Sequence, residues 1–199
     1  MHVRQYIVNM KHTIKRASVM ASTVVPRHFR DRTGSAQKAG VKAEQMFQQK
    51  CIDNNLEWRP STKQENMIDH IDCYVKFQQF QDEKSIDVKA AKKLVRWHPK
   101  PQDAWLWIEW VGRSGKPGWV RSSKLDFVAF EMLNKNFLVV DRKELESHVA
   151  TLVEQNKTKK IDTVTDAKNG ILYNRQGNKD KLTLIKSEDL VFLKNSFFL

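Results

Sequence analysis

Two short segments of strict apolar/polar alternation, Ile71-Asp72-Cys73-Tyr74-Val75-Lys76-Phe77 and Ser85-Ile86-Asp87-Val88-Lys89-Ala90-Ala91, constrain this 199-residue chain more than any other feature. A period of two puts Ile71, Cys73, Val75 and Phe77 on one face of a strand and His70, Asp72, Tyr74 and Lys76 on the other. In the second segment Ile86, Val88 and Ala90 share a face, and Asp87 and Lys89 share the opposite one. The polar stretch 78–84 between them predicts a hairpin, which brings Asp72 and Asp87 to one surface. Two carboxylates held that close repel each other unless a cation lies between them. Mg²⁺ is bound in this way, through one or two carboxylates plus waters and phosphate oxygens at roughly 2.0 to 2.1 Å. Lys89, two residues after Asp87, points to the same place and suits a phosphate or an attacking water.

Upstream, Ala36, Ala39, Ala43, Met46, Phe47 and Cys51 recur at three- and four-residue steps and predict an amphipathic helix over 35–54. Ser35 is the expected N-cap, and Asp53-Asn54-Asn55 the expected stop. Glu44 falls at the edge of the apolar stripe, where a carboxylate either reaches water or finds a partner.

An acidic residue, a hairpin, and then Asp87-Val88-Lys89 on a second strand, with Glu44 on a preceding helix, resembles the PD-(D/E)xK nuclease superfamily, and small phage-encoded nucleases within it. The resemblance spans about residues 40–110. It implies an α/β, restriction-endonuclease-like core with a mixed central β-sheet flanked by helices. It also implies that Asp72, Asp87 and the backbone carbonyl of Val88 hold Mg²⁺ or Mn²⁺, with Glu44 supporting a water or a second ion and Lys89 acting in catalysis. The first motif departs from the family pattern, because His70-Ile71-Asp72 has no Pro before the aspartate. Asp69 is the rival first ligand, but by parity it shares the face of Ile71 and Cys73, so Asp72 is preferred.

The (D/E)xK pattern alone carries no weight, since it also occurs at Asp82/Lys84, Asp141/Lys143 and Asp166/Lys168. Context separates Asp87, because Asp82 lies in the polar connection, Asp141 starts a helix and Asp166 precedes the turn-forming Asn169-Gly170. Trp105 to Trp110 are expected to continue the sheet, with 112–118 turning the chain into Trp119-Val120. Its tryptophans either stack nucleobases or pack the core. Glu109, on the face of Trp105 and Trp107, and His70, on that of Asp72, are second-tier site candidates. Farther on, Phe137 to Val140 predicts a buried strand. Asp141 is the expected cap of a helix striped by Leu145, Val149, Leu152 and Val153, and 170–173 and 182–185 predict two more strands.

Thirty-five Lys+Arg against 23 Asp+Glu give a net charge of +12. Nine basic residues and one acidic residue in 1–43 account for +8 of it, leaving +4 for the other 156 residues. Such a surplus favours a polyanion, here DNA. Arg16, Arg27, Arg30, Arg32, Lys38 and Lys42 are its expected contacts. Residues 1–33 are taken as a basic arm or extension, with a transit peptide or a start at Met20 as competing readings, and 34–199 as a single nuclease-like domain. Two cysteines and no Cys/His cluster exclude a disulfide framework and a zinc site, and place the thiols in a reducing compartment. No apolar run reaches the roughly 18 residues of a membrane span. The resulting expectation is a cytoplasmic deoxyribonuclease, working in the host cytoplasm if phage-encoded and with homodimerisation left open. The competing class is a non-catalytic basic nucleic-acid-binding protein.

Overall fold

The computed structural model describes residues 34–199 except 96, 160, 162, 175 and 176. Helix α1, Ser35–Asp53, buries Ala43, Phe47 and Cys51 at four-residue steps. Its N-cap is Gly34 in the left-handed conformation, so Ser35 is the first helical residue and not the N-cap. The predicted stop is a Schellman motif: Asn55 takes φ 55° and its N–H donates to Ile52 O, while Leu56 N–H donates to Cys51 O.

Strand β1, Glu57–Pro60, and helix α2, Lys63–Asp69, follow. A capping box opens α2, in which Thr62 Oγ1 accepts from Glu65 N (3.2 Å) and Thr62 N donates to Glu65 Oε2 (2.7 Å). His70 closes α2 in the left-handed conformation and is exposed, so it does not share a strand face with Asp72. Strand β2 is shorter than the alternation predicts, Cys73–Lys76, and β3 spans Lys84–Lys89. Next come β4 (Trp105–Val111), α3 (Trp119–Ser122), β5 (Phe127–Glu131), β6 (Phe137–Asp141) and α4 (Arg142–Gln155). The last elements are β7 (Tyr173–Asn174), β8 (Lys181–Lys186), α5 (Ser187–Leu190) and β9 (Phe197–Phe198).

These elements form a mixed six-stranded sheet, ordered β1-β2-β3-β5-β6-β9, and a three-stranded antiparallel sheet, β4-β8-β7. Only β3 and β5 run parallel, and the long segment between them contains β4 and α3. The expectation that Trp105 to Trp110 continue the main sheet is therefore wrong. Both edges of β3 are taken by β2 and β5, and β4 instead sends Leu106 and Ile108 into the core against Val128, Phe130, Leu138 and Val140. The chain then enters α3 rather than another strand. Gly118 is required at that entry because a Cβ there would lie 2.0 Å from Glu109 O.

The main sheet thus has two covered faces. On one, Cys73, Val75, Phe77, Ile86 and Val88 pack with Ala43, Phe47 and Cys51 of α1 and with Phe127 and Phe137. On the other lie the three-stranded sheet and the Leu145–Val149 stripe of α4. Ile71 joins this second cluster, opposite to its predicted companions, because β2 does not begin until Cys73. Both cysteines are buried free thiols, and burial pushes that of Cys51 up to about 12. Asp141 caps α4 as predicted, its Oδ1 accepting from Lys143 N and Glu144 N. A clasp fixes the parallel pair: Asp126 Oδ2 accepts from both Ser85 N and Ser85 Oγ at 2.9 Å, and Arg142 N donates to Asp126 O. Among the described residues no helix is long and apolar enough to cross a membrane.

Candidate active site

Asp72 stands one residue before β2, where the chain leaves α2. Its N–H donates to Ile86 O (2.8 Å), and the register Cys73↔Ile86 makes Asp87 its neighbour across the strands. The two aspartates are therefore cross-strand neighbours, with Asp87 turned away from the α1 side that Ile86 and Val88 face. Asp72 Oδ1 accepts from Asn66 Nδ2 (2.6 Å) of α2, and Oδ2 accepts from Val88 N (2.7 Å). Asp87 is 3% exposed, on a strand with neighbours on both sides. Lys89 follows on the same face, its Nζ 2.5 Å from Asp87 Oδ2 and 4.9 Å from the ring centre of Trp119, which seats the ammonium. The approach to Asp87 is out of line for a hydrogen bond, so that buried oxygen has no aligned donor.

The electrostatics follow from this crowding. Burial, then the charges of Asp87 and Glu44, push the Asp72 carboxyl up to about 8, against the opposing pull of the Val88 N–H and Lys89. Glu44, next to buried Ala43 at the edge of the α1 stripe, is raised by burial and by Asp87, with Lys89 acting the other way. Glu44, Asp72, Asp87 and Lys89 thus belong to one electrostatic unit, although they come from α1, the α2–β2 junction and β3. Asp72 and Asp87 form its inner pair. Among the described residues no three His, Cys, Asp or Glu side chains already stand at ligand spacing. The donor set fits a hard divalent cation all the same. It is made of carboxylate oxygens, one of them buried with only the ion pair to Lys89 and another, on Asp72, raised by burial and then by its acidic neighbours. Val88 contributes its N–H, and its side chain packs on the α1 side.

The second-tier candidates fall elsewhere. Glu109 lies on β4 in the other sheet, beside the Gly112–Gly118 turn, and His70 ends α2. Asp69 pairs with Lys124 at 3.1 Å. Lys38 and Lys42 are exposed on α1, the helix of Glu44, whereas Arg16, Arg27, Arg30 and Arg32 lie outside the described residues. Sequence reasoning missed two neighbours of the site, Asn66 and Trp119. The Thr62-x-x-Glu65 capping pattern marks the helix that carries Asn66, but nothing local marks its bond to Asp72. No family model, curated protein or solved structure matches this chain.

Proposed function

We propose that the protein is a metal-dependent deoxyribonuclease that hydrolyses DNA phosphodiester bonds, acting as an endonuclease on a restriction-endonuclease-like core. The observation that carries this reading is the cross-strand pair Asp72/Asp87 with Lys89 on the same face and Glu44 within electrostatic range. Asp72 and Asp87 would hold Mg²⁺ or Mn²⁺, with the Val88 carbonyl and Glu44 as further oxygen donors. The bound ion supplies water activation and neutralises charge building on the phosphate. With an ion on the carboxylates, Lys89 would offer its ammonium to the phosphate and steady the transition state electrostatically. Trp119 restricts the directions that ammonium can take. Lys38, Lys42 and the basic N-terminal residues hold the polyanion by a separate, salt-sensitive attraction. The working compartment on this reading is the cytoplasm.

The 2.5 Å contact between Lys89 and Asp87 also favours a second reading, in which they are a structural ion pair in a non-catalytic DNA-binding protein. Plasmid, single-stranded and branched DNA incubated with Mg²⁺, Mn²⁺ or EDTA, beside a Lys89→Ala protein, separate the two. Cutting that needs a divalent ion and is lost in Lys89→Ala supports the nuclease. Equal cutting by both proteins, or none on any substrate, removes it.

A further inference from the structure

A shallow groove lies between the end of β3 and the outer edge of β4, with Lys89, Trp105 and Trp107 in its lining. We propose that it is a track for a single strand of nucleic acid, in which Trp107 stacks an unpaired base and the surrounding lysines hold the phosphates. The inference deepens the nuclease reading and rests on it, since Lys89 lines the groove.

Shape is the first argument. The groove is a shallow depression open to solvent and does not enclose a small molecule, so a ligand there would lie along the surface. Its wall is also unsuited to an added protein strand. The β4 edge at Trp105 is occupied by Gln102, whose Oε1 accepts from Trp105 N (2.8 Å) and whose Nε2 donates to Trp105 O (2.6 Å).

Charge and rings supply the rest. Glu131, in the lining, is engaged by Ala91 N (3.0 Å), so the groove's acid faces a partner within the fold. Lys89 is in the lining, and Lys168 sits over the Trp105 ring at 4.7 Å. Lys186, 5.9 Å from that ring, is paired with Glu188. Trp105 is therefore covered by a cation, while half-buried Trp107 is held at its rim, its Nε1 donating to Lys93 O at 3.4 Å. A fixed indole beside lysines is a stacking platform for bases not already stacked in a duplex.

The full chain in EDTA, titrated into a labelled oligothymidylate and into a duplex of equal length, tests the track without any cutting. Trp107→Ala should weaken oligothymidylate binding about tenfold or more and duplex binding less than about twofold. Trp107→Leu keeps apolar bulk without a ring and should behave like Trp107→Ala, while Trp107→Phe should bind nearly as wild type. Lys168→Ala should lower the salt slope for the oligothymidylate by about one. Unchanged oligothymidylate affinity in Trp107→Leu, or equal losses for strand and duplex, overturns the track. Absence of cutting with the Trp107 dependence intact leaves the track standing and removes the nuclease; cutting without that dependence removes only the track.

Discussion

On the α1 side of β2 and β3, Cys73, Val75, Ile86 and Val88 are sealed against Phe47, Phe77 and Phe137, while the other side of the same two strands carries Asp72, Asp87 and Lys89. One backbone register sets both faces, and they contribute with opposite sign. Each large apolar side chain sealed on the α1 side stabilises the fold by about 1.5 to 3 kcal/mol. Opposite, burial first and then the charges of Asp87 and Glu44 push the Asp72 carboxyl up to about 8. The apolar face gives the rigidity that holds two like charges together, and the charged face keeps a repulsion that only a proton or a cation relieves.

The contrast breaks most visibly at Phe137, fully buried and edge-on to Phe47 at 5.1 Å. Phe137→Ala should cost about 3 to 5 kcal/mol in urea unfolding, while the folded fraction keeps its metal affinity. Lys89→Ala acts on the other face, with cutting reduced about 10² to 10³-fold and a loss of stability as well, because it leaves the buried Asp87 carboxylate unpaired. The third test is pH. A carboxyl whose pKa rises on folding gives stability that is fully present below its ordinary value of 3.8 and is lost as pH climbs through about 8. The metal-free protein should therefore melt at lower temperature at pH 9 than at pH 5, and Asp72→Asn should flatten that slope. Mg²⁺ should reverse the trend, binding more tightly as pH rises and releasing a proton, with about 1.4 kcal/mol of stabilisation at tenfold excess over its Kd. Smallest of all, Asn66→Ala removes one bond to Asp72 and should cost about 1 kcal/mol, shifting the pH midpoint further upward.

Much of this was legible in local pattern. The four-residue stripe of α1 and the β3 alternation that turns Asp87 and Lys89 away from Ile86 and Val88 are consequences of side-chain period, and the Asp141 cap of side-chain reach. Period says which face a side chain takes and nothing about which sheet a strand joins, so Trp105–Val111 was misplaced. Helix α2 buries none of its residues, leaving no apolar stripe to read, and its presence moved His70 and Ile71 off the strand. The Asn66 contact depends on the left-handed turn at His70 that folds α2 back on Asp72, and the Trp119 contact on a chain reversal that no short window contains.

The Ser85–Asp126 clasp has a consequence for the order in which the molecule is made. Glu44, Asp72, Asp87 and Lys89 all leave the ribosome before Asp126, yet the far edge of β3 has no partner until Phe127–Glu131 arrives. Until then the strand bearing Asp87 is an open edge, prone to pairing with another chain. The carboxylate pair thus acquires its rigid setting only late in synthesis, and a nascent chain halted short of β5 carries every residue of the site without the structure that makes them act together.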